Sequence, residues 1–101
     1  MEKRRPTYDL DAIKLAIGSV ETLAITSSAL KDAFALGFDR GGIVETIVGI
    51  EARMFYKSMT TFADHRVWQD VYHVAARGFV LYVKFQADVV TEFTVMSFKE
   101  K

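Results

Sequence analysis

The spacing of apolar residues changes once along this chain, near Arg53, and that change limits the folds open to it. Before Arg53 apolar side chains recur every three or four residues; after it they recur every second residue. From Asp9, the positions Leu10, Ile13 and Ile17 predict a helix with Asp9 as its cap and Gly18 near its end. Glu21–Thr26 reads as a short extended piece. Ser27 is placed to cap a second helix that carries Ala29/Leu30 and Ala33/Phe34, with Gly37 as its stop. Asp39 is placed to cap a third, carrying Ile43/Val44 and Ile47/Val48 and loosened by Gly49. Helices this short do not hold alone in water, so each must pack on something.

Past Arg53 the alternation predicts four strands, over Phe55–Thr60, Val67–His73, Gly78–Ala87 and Glu92–Lys99. "FADHR" and "VAARG" are the first two connections. The third, near "ADVVT", stays open, because Val89 and Val90 extend either neighbour. Short connections favour antiparallel pairing. Helices followed by strands give an α+β fold, with N-terminal short helices packed on one face of a mainly antiparallel β-sheet. The 101 residues make one domain's worth of chain, so residues 1–101 are expected to form a single domain.

Alternation also sorts the strand faces. In the third strand Phe79, Leu81, Val83 and Phe85 point one way, and Val80, Tyr82, Lys84 and Gln86 the other. In the first, Lys57 shares a face with Phe55 and Met59. In the second, Gln69 shares one with Val67, Val71 and His73, while Trp68 and Tyr72 turn to the core. With these registers aligned, Lys57, Gln69, His73, Tyr82 and Lys84 form one polar patch opposite the helices. The last strand, "EFTVMSFK", carries few charges, and an uncovered edge of that composition invites a partner chain.

Much chemistry is excluded. No cysteine is present, which removes disulfides, cysteine-ligated zinc and thiol catalysis. His65 and His73 are the only histidines and have no ligand-like spacing, so no metal site is expected. His65, in its turn, reads as a turn or capping residue. No serine lies in a nucleophile elbow, and "DRGGIV" lacks a phosphate-loop lysine. The charged N-terminus is not a signal peptide, and the longest apolar run, "GFVLYV", is far too short to span a bilayer as a helix. The expectation is a cytoplasmic protein without membrane attachment. Thirteen Lys/Arg balance thirteen Asp/Glu, so net charge gives no pointer to nucleic acid.

The patch itself suits a phosphodiester. Lys57 and Lys84 can offset charge on a phosphorane-like transition state. Gln69 can donate to a phosphoryl oxygen or orient a nucleophile. A Tyr82 phenol with its pKa lowered by neighbouring lysines would shuttle a proton. RNA brings its own nucleophile, the 2′-hydroxyl, so positioning it in line needs neither a metal nor a protein nucleophile.

"FYKSMTT", the following "DH", "WQDVY", the C-terminal "SFKEK" and the opening "MEKR" resemble the motility quorum-sensing regulator (MqsR) toxins. The resemblance covers essentially the whole chain and is strongest from Phe55 to Tyr72 and from Ser97 to Lys101. It implies a RelE-like fold and a metal-independent endoribonuclease, an mRNA interferase that cleaves single-stranded mRNA at GC-containing triplets such as GCU. It implies no cofactor, and a cognate antitoxin with a zinc-binding N-terminal domain and a helix-turn-helix domain. Operator DNA would be reached only through that antitoxin. Carried onto this sequence, the motifs assign Lys57, Gln69 and Tyr82 to catalysis. Tyr56, Met59, His73, Lys84 and Lys99 are assigned to RNA binding. Two departures stand out. The family commonly has arginine and proline after "VY", where this chain has His73 and Val74, and the family is usually basic. They keep two other readings open: a catalytically weak relative acting mainly through antitoxin binding and operon control, and an RNA-binding module without cleavage.

Overall fold

A computed structural model describes residues 1–87 and 93–101. After a short strand at Glu2–Lys3 come three helices, α1 (Leu10–Ile17), α2 (Ser27–Ala35) and α3 (Arg40–Val48), then a single 3₁₀ turn at Ala52–Met54. Five strands are described, β1 (Glu2–Lys3), β2 (Phe55–Thr60), β3 (Trp68–Ala76), β4 (Phe79–Ala87) and β5 (Phe93–Glu100). They lie in chain order in one sheet, with every neighbouring pair antiparallel. The alternation had predicted four strands; β1 has two residues, too few to show a period. Val89, Val90 and the expected strand start at Glu92 lie outside the described residues.

The caps follow the chemistry of orphan helix amides. Asp9 accepts from the Asp11 amide at 3.0 Å and Asp39 from the Gly42 amide at 2.7 Å. The cap of α2 is Thr26 rather than Ser27. Its hydroxyl accepts from the Ala29 amide at 3.2 Å, and Ser27 is already helical. The reason lies in the extended piece before it. Val95 donates to the Ala24 carbonyl at 2.8 Å and accepts from the Thr26 amide at 3.1 Å, which holds Thr26 in the extended backbone a cap needs. Gly37 ends α2 with φ +89°, a conformation that costs glycine little.

All three helices cover one face of the sheet. Ile13 and Ile17 of α1, Ala29 and Ala33 of α2, and Ile43 and Ile47 of α3 meet Tyr72, Val74, Leu81, Val83, Phe85, Val95 and Phe98 in one core. Trp68 was expected in that core and stands outside it. It shares the helix-side face with Tyr72, yet lies beyond the helices, half-buried under the Lys3 ammonium at 4.3 Å. The β3–β4 connection is tighter than "VAARG" indicated. Ala76 pairs with Phe79, so only Arg77 and Gly78 turn the chain, at φ +52° and +83°. This is the left-handed pair that a two-residue hairpin requires.

Asp70 sits among these apolar side chains, fully buried. Its carboxylate accepts the Thr7 amide at 3.1 and 3.0 Å and the Tyr8 amide at 2.8 Å. Charge-assisted bonds to backbone amides offset the cost of burying the charge. Thr7 and Ser58 share a hydroxyl bond of 2.8 Å, and the Tyr8 hydroxyl donates to the Trp68 carbonyl at 2.7 Å. Asp70 therefore fastens the N-terminal segment to the sheet, and that segment carries β1 to the edge of β2.

Candidate active site on the open face of the sheet

The register brings the predicted patch together. Gln69 pairs with Gln86, Val71 with Lys84 and His73 with Tyr82. Across β2, Lys57 pairs with Val71 and Met59 with Gln69. Across β5, Lys99 pairs with Tyr82 and Ser97 with Lys84. Side chains of directly opposed residues share a face, so Lys57, Met59, Gln69, His73, Tyr82, Lys84 and Lys99 all lie opposite the helices.

One expectation about faces fails, and the failure adds a residue. Phe55 does not share a face with Lys57. The ladder shifts between them in a β-bulge. Phe55 packs on Tyr72 in the core, with ring centroids 5.6 Å apart. The inserted residue, Tyr56, turns to the open face and lies on His73, with centroids 4.1 Å apart and planes 22° from parallel. Two consecutive residues, Tyr56 and Lys57, thus face the site, which a flat strand forbids.

Around Tyr82 the groups are close. His73 lies 6.1 Å away between ring centroids, and the Lys99 ammonium 5.6 Å from the ring. Burial pushes the Tyr82 phenol above its usual range, against the pull of Lys57. This reverses the lowered pKa expected from neighbouring lysines, because the half-buried ring loses more solvation than one cation restores. Tyr82 is therefore a proton donor at neutral pH. Burial, with Lys101 second, holds His73 below its usual range, so its imidazole is neutral and can accept a proton. Burial, then Lys99, lowers Lys84.

Gln69 is 8% exposed, and its side-chain amide donates to Gln86 Oε1 at 2.9 Å. Its orientation is fixed by this cross-strand neighbour on the same face. Val71 beside it is fully buried although it faces away from the helices, beneath the surrounding long side chains.

Two residues that the sequence reading did not single out complete the site. Glu2 forms an ion pair of 2.5 Å with Lys57 Nζ, and the Arg4 guanidinium lies 5.6 Å from the Tyr56 ring. The hydrogen bond to Glu2, more than any other effect, raises the Lys57 pKa, and the same bond lowers that of Glu2. Lys57 is a fixed cation. Both residues arrive from the N-terminal segment, and the charged opening "MEKR" was the only local signal for them.

Among the described residues no group of His, Cys, Asp or Glu has a metal-holding arrangement. The face offers cations, a neutral base, a phenolic acid, a fixed amide and an exposed aromatic ring.

The chain is similar to known proteins over nearly its whole length. The family model described as "Motility quorum-sensing regulator, toxin of MqsA" matches residues 5–100. The mRNA interferase toxin MqsR of Escherichia coli (strain K12) is 42% identical over 103 residues, covering 100% of both chains.

Proposed function

The chain belongs to the motility quorum-sensing regulator toxin family, and we propose that it is an mRNA interferase, an endoribonuclease toxin working from the open face of its sheet. The observation that carries this reading is the meeting of Tyr56, Lys57, His73, Tyr82, Lys84 and Lys99 on the one face the helices leave uncovered.

In this reading single-stranded mRNA lies across that face, with cleavage at GC-containing triplets such as GCU. Tyr56 and Met59 receive a base, and Lys84 and Lys99 hold phosphates. Gln69, steadied by Gln86, positions the scissile phosphate. His73 takes the proton from the 2′-hydroxyl, and the 2′-oxygen forms its bond to phosphorus. Lys57 offsets the charge that gathers on the phosphoryl oxygens, and the bond to the 5′-oxygen breaks as Tyr82 donates its proton there. The products are a 2′,3′-cyclic phosphate and a 5′-hydroxyl. The lysines supply the charge stabilisation, so the reaction is metal-independent.

The family description names its toxin as that of MqsA, and an antitoxin partner is part of the proposal. It is a zinc-binding, helix-turn-helix protein, through which alone the toxin reaches operator DNA. It docks partly on the edge of β5, beyond the stretch that Ala24–Thr26 already covers at Val95. A complex in which every edge strand stays free of partner would sink that placement. The setting is a single toxin domain acting in the cytoplasm. Among the described residues no helix is long and apolar enough to cross a membrane.

The test is cleavage of RNA in EDTA with end mapping, beside folded Lys57→Ala and Tyr82→Ala. The reading expects the two ends named above from wild type and their loss in both variants. The neutral net charge and the carboxylate on Lys57 favour a second reading, a catalytically weak relative acting through its antitoxin. Absence of cleavage at every salt and pH tested, with antitoxin binding intact, would establish that reading instead.

A further inference from the structure

The Glu2–Lys57 pair joins residues 55 positions apart in sequence, and β1 brings its carboxylate to the sheet. Glu2 pairs across the ladder with Met59, which places it on the open face beside Lys57. The two partners are unequal. The Glu2 side chain is 53% exposed and that of Lys57 19%. The lysine is set into the sheet, while the carboxylate stands in solvent and can turn away without losing hydration. Lys84 and Lys99, farther along the same face, have no ion-pair partner among the described residues.

A carboxylate on an ammonium and a phosphodiester on an ammonium are the same contact between an anionic oxygen pair and N–H donors. Lys57 cannot hold both without bringing two anions together, which costs Coulomb energy even near a protein surface. Resting on the RNA-cleaving reading above, we propose that Glu2 occupies on Lys57 the place that a phosphate of the bound RNA takes, so that RNA binding exchanges one anion for the other. Glu2 thereby marks a phosphate subsite bounded by Tyr56, Lys57, Met59 and Tyr82. It also tunes affinity: RNA settles first on Lys84 and Lys99, which hold no carboxylate among the described residues, and only a strand that reaches Lys57 displaces Glu2. The Lys57 bond holds Glu2 ionised through neutral and mildly acid pH, so the exchange operates wherever the toxin does.

The test is fluorescence anisotropy with a fully 2′-O-methylated oligoribonucleotide, which binds and cannot be cleaved. It compares wild type, Glu2→Gln, Glu2→Ala, Lys57→Ala and the Glu2→Gln/Lys57→Ala double variant, each confirmed folded by thermal unfolding. Both Glu2 variants should bind about three- to five-fold tighter at ~0.1 M salt. The fall of log affinity with log salt should stay nearly unchanged in the Glu2 variants, because Lys57 neutralises the same phosphate once Glu2 is displaced, and should flatten by about 0.7 in Lys57→Ala, which loses that contact. Lys57→Ala should weaken binding, and Glu2→Gln should add nothing in that background. If Lys57→Ala weakens binding while both Glu2 variants match wild type or bind more weakly, the exchange is overturned and the RNA-binding face stands. If Lys57→Ala leaves affinity unmoved, the proposed role of Lys57 falls, and the exchange with it.

Discussion

The Tyr56 ring lies flat on the His73 imidazole, 4.1 Å between centroids, and covers one face of it. That cover belongs to the burial that holds the imidazole neutral. With His73 as proton acceptor, cleavage should decline only as pH drops through a pKa below the ordinary value of about 6.5. Tyr56→Ala uncovers the ring and should move this acid limb to higher pH. His73→Gln should lower kcat about 100-fold and flatten the limb. Single-turnover rates between pH 4.5 and 8 decide; an acid limb unmoved in Tyr56→Ala would rule out the stack as its cause. Stability carries the same sign. A depressed His pKa contributes stability above about pH 6.5 that is lost as pH falls through the folded value.

Tyr82 and Lys84 face the same way and should fail differently. Tyr82→Phe removes only the hydroxyl, so kcat should fall about 100- to 1000-fold with KM nearly unchanged. Lys84→Ala removes a half-buried cation beside Lys99. It should raise KM and reduce the salt slope by about 0.7, with a small change in kcat. Steady-state kinetics at three salt concentrations separates the two; a Tyr82→Phe variant cleaving at the wild-type rate removes the phenol from the proposed chemistry.

Much of this face was legible from alternation, because a strand's period of two assigns faces once one strand is anchored. The run Phe79–Gln86 supplies that anchor, and Gln69, His73 and Lys84 follow by register. What alternation missed has local physical causes. A bulge adds one residue and so reverses the phase, which hid the turn of Tyr56 toward His73 and of Phe55 into the core. A two-residue strand has no period, which hid β1 and with it Glu2. Trp68 has the right phase for the core, but phase does not say how far the helices reach. The burial of Asp70 has no local signal, because its partners, the Thr7 and Tyr8 amides, lie more than 60 residues away in the chain.

Asp70→Asn should test that anchoring. The amide keeps the shape, loses the charge, and turns an NH₂ toward backbone donors. The cost should be about 1–3 kcal/mol in urea unfolding. Exchange of the Thr7 and Tyr8 amides should accelerate, and the Glu2–Lys57 pair should loosen with the segment that carries it. Unchanged exchange at both amides would mean that β1 pairing alone holds the N-terminus.

Tyr72 offers a second test of the fold, at the alkaline end. It packs in the core against Phe55 and Phe85, and it borders a cleft with Tyr8, Asp9, Lys14 and Glu51. Burial first, then the charges of Asp70 and Asp9, pushes its pKa up to about 12. A raised pKa contributes stability that is complete below the unfolded value of about 10 and is lost as pH climbs through the folded value. The native protein should therefore weaken between about pH 10 and 12. Tyr8 and Tyr82 are also raised and add to the loss, so wild type alone does not isolate Tyr72. Tyr72→Phe does, since it keeps the ring contacts and removes the ionising group. Its urea midpoint should decline less steeply than that of wild type over this range, while near pH 7 the two differ little. Parallel alkaline declines would show that Tyr72 ionises as easily folded as unfolded, and that its phenol is open to solvent.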